Sequence, residues 1–288
     1  MATQLVQLKE IERLSARVIR VLGGNPGKFT LQGSNTYIVG TGRQRILIDT
    51  GEGKPAWIAS LKEALRTENA TITKALITHR HYDHVGGIHD LLEFSPTTII
   101  YKYLPDEGQN EIKDGQHFEV EGASLRTLHS PGHTRDHVVI ILEDEDAMFT
   151  GDNLLGHGTA VFEDLTVYLE SLENMRSKFH GRAYPGHGAV VEGGPSKIIE
   201  YIKHRQVREN QVIQTLKSRK SPAIETRNEL DGWTTMELVK VIYKNVPTNL
   251  HQAASGGILQ TLRKLEAEEK VVKDANSERW RLKNRPTL

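Results

Sequence analysis

The chain of 288 residues contains no cysteine. That absence excludes disulfides, thiolate metal ligands and a cysteine nucleophile together, so any metal it holds is bound through nitrogen and oxygen. Neither sign of charge is in surplus, 37 Lys and Arg standing against 37 Asp and Glu. Global attraction to nucleic acid, to an anionic membrane or to an acidic polymer is therefore not expected. No stretch approaches the ~20 apolar residues of a membrane span. The first thirty residues lack an apolar run of signal-peptide length and carry Glu10 and Glu12, which are foreign to organellar transit peptides. The expectation is a cytoplasmic protein without a membrane partner.

Up to about residue 190, short β-branched or alternating segments broken by glycine read as strands, at 17–22, 36–39, 45–49, 75–78, 97–101, 124–128, 137–142 and 147–150. Helices come between some of them: Trp57, Ile58, Leu61, Ala64 and Leu65 share one face, as do Tyr168, Leu169, Leu172 and Met175. Strands with interspersed helices indicate mixed α and β layers. The texture changes near residue 194, where Pro195 opens a polar helical stretch to about Arg219 that Lys220, Ser221 and Pro222 break. Beyond it, Thr234 or Thr235 caps a helix bearing Met236, Leu238, Val239, Ile242 and Tyr243. Pro247 interrupts, and Ile258, Leu259, Leu262 and Leu265 form a second apolar stripe. Val271, Val272, Trp280 and Leu282 suggest a hairpin around 274–277. Helix, helix, hairpin is the order of a winged-helix unit, so two domains are expected, 1–220 and 221–288.

The residues that carry chemistry lie in the first of these. Thr78-His79-Arg80-His81-Tyr82-Asp83-His84-Val85-Gly86-Gly87 follows one expected strand and precedes an apolar helix containing Ile88, Leu91 and Leu92. Three imidazoles and a carboxylate thus crowd one strand-to-helix loop, a donor set suited to a borderline divalent ion such as zinc. Residues two apart in extended chain point to one side, so His79 and His81 can share an ion while Asp83 and His84 hold a second. Further donors follow glycines at later strand ends: His133 in Ser130-Pro131-Gly132-His133, Asp152 in Thr150-Gly151-Asp152, and His187 in Tyr184-Pro185-Gly186-His187. Taken singly, each Gly-Asp or Gly-His pair is ordinary turn chemistry; beside the histidine cluster they read as ligands, with Asp152 able to bridge two ions.

This set resembles the metallo-β-lactamase superfamily, whose HxHxDH signature His79, His81, Asp83 and His84 match and whose later ligand motifs His133, Asp152 and His187 match in order. The resemblance implies an α+β fold, a four-layer αββα sandwich with the metals at the edge of its two sheets. It assigns His79, His81, His133 and bridging Asp152 to one divalent ion and Asp83, His84, His187 and Asp152 to the other, with zinc first and manganese or iron as alternatives. The β-lactamases of the best-known subclass use a cysteine that this chain lacks, so antibiotic hydrolysis is not implied. Asn25-Pro26-Gly27-Lys28-Phe29-Thr30-Leu31-Gln32-Gly33-Ser34-Asn35-Thr36-Tyr37, Ile48-Asp49-Thr50-Gly51 and Gly158-Thr159-Ala160-Val161-Phe162-Glu163-Asp164 resemble the β-lactamase-like protein 2 group, whose members also carry a C-terminal winged helix.

That group implies two activities, both by attack of a metal-bridging hydroxide with Asp83 as the catalytic residue that orients the water or takes its proton. One is thioester hydrolysis, releasing an aromatic polyketide from the acyl carrier protein of a non-reducing synthase, as in fungal atrochrysone carboxyl ACP thioesterases. The other is cleavage of single-stranded RNA. Asn25-Pro26-Gly27-Lys28-Phe29, Gly156-His157-Gly158-Thr159 and Gly181-Arg182-Ala183-Tyr184-Pro185-Gly186-His187-Gly188 are more similar to the fungal enzymes. The residues after position 220 include eleven basic and nine acidic side chains, too small a surplus to favour RNA. Arg279, Arg281, Lys283 and Arg285 read as a solvated hairpin face. The winged helix reads as a lid or as a dimer contact, the latter making a homo-oligomer. His157 is the candidate substrate-binding residue, with a surface position as its alternative, and Asp49 and His137 are candidate partners of the ligands.

Overall fold

Strand segments such as Val18–Leu22 and Val138–Leu142 are buried along their whole length, which requires cover on both sides. The computed structural model describes residues 5–218, 232–275 and 277–283. Its first sheet runs in chain order through β1 (Ile11–Arg13), β2 (Val18–Leu22), β3 (Asn35–Val39), β4 (Gln44–Ile48), β5 (Thr71–Ile77), β6 (Ile99–Lys102) and β7 (Asn110–Glu111). Pairing is antiparallel as far as β4 and parallel from β4 onward. The switch comes where crossovers begin: α1 (Pro55–Thr67) joins β4 to β5, and α2 (Tyr82–Val85) and α3 (Ile88–Phe94) join β5 to β6. The second sheet has the order β12-β11-β10-β9-β8, from β8 (His117–Val120), β9 (Ala123–His129), β10 (Val138–Leu142), β11 (Ala147–Gly151) and β12 (Ala183–Pro185). Its one parallel pair, β11 with β12, is spanned by α4 (Leu165–Arg176).

Alternation along each strand builds the layers. Val18, Tyr37, Val39, Ile46, Ile48 and Leu76 face Phe118, Leu125, Val138, Ile140, Leu142 and Phe149 of the second sheet. Their neighbours Ile19, Val21, Ile38, Leu47, Ala75 and Ile77 turn the other way, against Trp57, Leu61, Ala64 and Leu65 of α1 and Leu91 of α3. The wholly buried Trp57 keeps its polar atom satisfied, Nε1 donating to Thr36 Oγ1 at 3.0 Å. Outside the second sheet, Tyr168 and Ser171 of α4 donate to the carbonyls of Asn153 and Pro131, each at 2.7 Å. Two mixed sheets flanked by helices result, as the resemblance implied.

The chain divides into two compact units, Met1–Ala160 with Val167–Ile199, and Val161–Thr166 with Glu200–Leu288. The second contains most of α5 (Gly194–Lys217), then α6 (Thr235–Ile242), α7 (His251–Ala267) and the hairpin β13 (Val271–Lys273) and β14 (Trp280–Leu282). Val212, Trp233, Leu238, Val239, Ile258, Leu262, Leu265 and Trp280 form its core. Thr234 caps α6 in a capping box with Glu237. Arg279 departs from the expected solvated face: its side chain is 11% exposed and donates to Glu237 Oε2 at 2.9 Å, so the hairpin is tied to the cap. The break at Lys220, Ser221 and Pro222, the boundary at 220/221 and Arg285 lie outside the described residues. Among those described, no helix is long and apolar enough to cross a membrane.

Strands β1, β7, β8 and β12 were not expected. β1 and β7 are two or three residues long, β8 alternates polar with apolar side chains, and β12 ends in a proline. The expected loop after His81 instead starts a one-turn helix, α2, which carries Asp83 and His84.

Candidate metal centre

Strand ends of both sheets deliver the polar cluster. His79 follows β5 by two residues, His133 follows β9 by four, Asp152 comes directly after β11, and His187 lies two beyond β12. The structure gathers all seven expected ligands into two adjoining groups, His79, His81, His133 and Asp152 in one and Asp83, His84 and His187 in the other. In the first, His81 Nδ1 lies 3.0 Å from both His79 Nε2 and His133 Nε2. In the second, His187 Nε2 lies 3.1 Å and His84 Nε2 3.4 Å from Asp83 Oδ2. Asp152 faces both: Oδ2 is 3.6 Å from His133 Nε2, while Oδ1 is 3.3 Å from His187 Nε2 and 3.5 Å from His84 Nε2. Two glycines make this approach possible. A Cβ at Gly186 would stand 2.4 Å from Asp152 Oδ1, and one at Gly151, whose φ is +47°, would stand 2.6 Å from His137 Nε2.

Outer hydrogen bonds choose which ring nitrogen faces inward. His84 Nδ1 donates to Asp49 Oδ2 at 2.7 Å, leaving Nε2 for the centre. Thr78 Oγ1 donates to Asp49 Oδ2 at 2.8 Å, so it accepts from His79 Nδ1 at 3.0 Å, and His79 too presents Nε2. Asp49 is locked in turn by the Thr78 N–H at 2.7 Å. His137 Nε2 accepts from the Asp152 N–H at 3.1 Å. Asp49 and His137 thus contact the expected ligands.

Burial, helped by the charges of His84 and neighbouring imidazoles, holds His79 and His137 well below the usual imidazole value, and His81 is lowered mainly by burial. Burial would also lower His84 and His187, but Asp49 and Asp152 outweigh it at His84, and Asp152 and Asp83 at His187. His84 stands well above its usual value and His187 is pushed up to about 9. The Asp83 and Asp152 carboxyls, which burial alone would raise, are held far below the carboxylate range by His187 and His84.

A divalent ion fits this donor set. Three imidazoles and a carboxylate converge in the first group, a carboxylate and two imidazoles in the second, and no sulfur is needed. His84 Nε2 and Asp152 Oδ1 are shut off from solvent and make no hydrogen bond among the described residues. Such orphaned buried atoms are costly unless a ligand satisfies them. The clusters are consistent with a dinuclear site whose metal identity the side chains leave open.

Sequence reasoning did not single out the residues that hold the two ligand loops. Asn35 Nδ2 donates to the carbonyls of Pro185 and Gly188, and Tyr37 OH to that of Pro185, fastening the His187 loop to β3. Ser34 Oγ donates to Asp83 Oδ2 at 3.1 Å. The only signal was their place in the segment 25–37. His157 is half-buried, and its neighbour Gly156 donates N–H to the His187 carbonyl at 2.9 Å.

A family model of the metallo-beta-lactamase superfamily matches residues 29–187, the span that holds all seven. The chain belongs to that superfamily. A model of the beta-lactamase associated winged helix domain matches residues 234–280. Relatives extend the match along the chain. The lactamase-like protein nscB of Arthroderma gypseum is 47% identical over 272 residues, covering 93% of this chain and 87% of that one. An atrochrysone carboxyl ACP thioesterase of Aspergillus chevalieri is 45% identical over 275 residues, with the same coverage of 93% and 87%. The crystal structure of a beta-lactamase domain protein from Burkholderia ambifaria superposes with a TM-score of 0.79 at 15% identity, covering 98% of this chain and 96% of that one. At that identity the likeness speaks for the fold.

Proposed function

We propose that this member of the metallo-beta-lactamase superfamily is a thioesterase that releases an aromatic polyketide from an acyl carrier protein. The observation that carries the reading is the 45% identity, over 93% of the chain, to a protein named for that reaction. His79, His81, His133 and Asp152 would hold one divalent ion and Asp83, His84, His187 and Asp152 the other. Bound there, such ions lower the pKa of water and stabilise an oxyanion. The protein supplies the rest. Asp83, 23% exposed at its side chain beside His187 and His84, orients the attacking water and accepts its proton. A bond forms between the water oxygen and the acyl carbon, the carbon–sulfur bond breaks, and the proton held by Asp83 passes to the departing thiolate. His157, on a backbone tied to the His187 loop, is assigned to substrate contact. The acyl carrier protein is the macromolecular partner.

The balance of 37 basic against 37 acidic residues gives RNA no phosphate-neutralising surplus. The test incubates zinc-loaded protein with an acyl-phosphopantetheine thioester and, separately, with single-stranded RNA. Chelator-sensitive thioester cleavage is expected. Chelator-sensitive RNA cleavage without thioester turnover refutes the proposal.

A further inference from the structure

Asp83 is the least enclosed of the acidic ligand candidates. It sits on α2, a single turn of four residues, too short to be rigid on its own. What holds its carboxylate comes from nearly fifty residues earlier in the chain. Ser34 is fully buried and its backbone is fixed twice, its N–H donating to Asn25 Oδ1 at 2.9 Å and its carbonyl accepting from the Gly23 N–H at 2.7 Å. Its hydroxyl accepts from Asn25 Nδ2 at 3.1 Å and donates to Asp83 Oδ2 at 3.1 Å. A serine hydroxyl has one hydrogen. Because the Asn25 amide occupies the oxygen as a donor, that hydrogen is directed to Asp83.

We propose that Asn25 and Ser34 are a positioning pair that fixes the Asp83 carboxylate on the His84–His187 side of the centre and thereby sets the affinity of the second metal position. This rests on the reading of Asp83 as a ligand and not on the identity of the substrate. Asn25 acts through both ends of its amide, Oδ1 anchoring the Ser34 backbone and Nδ2 setting the sense of the hydroxyl. The segment 25–34 therefore has a role in the metal centre although none of its side chains is a ligand.

Two substitutions separate this role from simple packing. Ser34→Ala removes the hydroxyl and leaves both backbone bonds. Asn25→Asp keeps the acceptor for the Ser34 N–H but replaces the Nδ2 donor by a second acceptor, so the Ser34 hydrogen turns toward position 25 and away from Asp83. The probe is zinc alone, titrated into metal-free protein against a chromophoric chelator, with thermal melts of each metal-free form as the folding control. Wild type is expected to bind two zinc ions. Ser34→Ala should retain the first at wild-type affinity and weaken the second by about 10- to 100-fold, the usual effect of losing an outer partner of a ligand. Asn25→Asp should give the same loss, and the double variant no more than either single one. Second-ion affinity within twofold of wild type in Ser34→Ala, equal weakening of both ions, or losses that add in the double variant would overturn the proposal. Fewer than two zinc ions on wild type would overturn it together with the metal-centre reading. Two ions bound without thioester turnover would remove only the thioesterase reading.

Discussion

Loading the metal-free protein with zinc at pH 7 is expected to expel the protons of His84 and His187, because only a neutral imidazole ligates a metal. His187, pushed up to about 9, is almost wholly charged at pH 7, and His84 stands well above its usual value of 6.5. His79 and His81, lowered mainly by burial, are already neutral and release none, and the two carboxyls are already ionised. Each displaced proton changes apparent affinity about tenfold per pH unit, so displacing two strengthens binding about 100-fold between pH 6 and 7. The sign for stability is the reverse. The folded value of His187 lies above its unfolded one, so its pairing with Asp152 and Asp83 stabilises the metal-free protein fully below pH 6.5 and is lost as pH rises through about 9. Calorimetric titration in two buffers of different protonation enthalpy counts the protons, and melts of the metal-free form follow the stability. Release should fall by about one between pH 7 and pH 10 as His187 loses its proton beforehand. Fewer than one proton at pH 7, or a release that does not fall by pH 10, would refute the charge assignment.

Asp49→Asn keeps an acceptor for the Thr78 N–H but turns an amide donor toward His84 Nδ1, which moves that ring's hydrogen onto the nitrogen facing the centre. Zinc affinity should fall about 10- to 100-fold in competition titration, and unchanged affinity would contradict the tautomer argument. Thr234→Ala removes the capping box of α6 and should lower the stability of the second unit by about 1 kcal/mol in denaturant unfolding. No change in the midpoint would mean that the cap is not limiting there. Asp83→Asn should abolish thioester turnover with the fold preserved by circular dichroism, and retained turnover would remove Asp83 from proton transfer.

The candidate ligands were legible because the cluster is built from short motifs at strand ends. A glycine followed by His133, Asp152 or His187 marks a chain leaving a buried strand, and His79 to His84 compress four donors into six positions. The two sheets were legible where both faces are buried, as in β2, β4 and β10, since long apolar runs result. Half-exposed β8 and the three-residue β1 and β12 carry too little pattern to stand out. Arg279 reads as solvent-facing by residue type, and only the fold brings Glu237 beside it. Ser34 escaped for the same reason. Its tie to Asp83 spans 49 positions and depends on the closure of two loops, which no local periodicity encodes.

The central claim is a pair of metal positions sharing Asp152. Anomalous diffraction at the zinc edge from crystals of the loaded protein tests it directly. The account predicts two peaks, one against His79, His81 and His133 and one against Asp83, His84 and His187, with an Asp152 oxygen on each. A single peak, or two peaks of which only one touches Asp152, would contradict it.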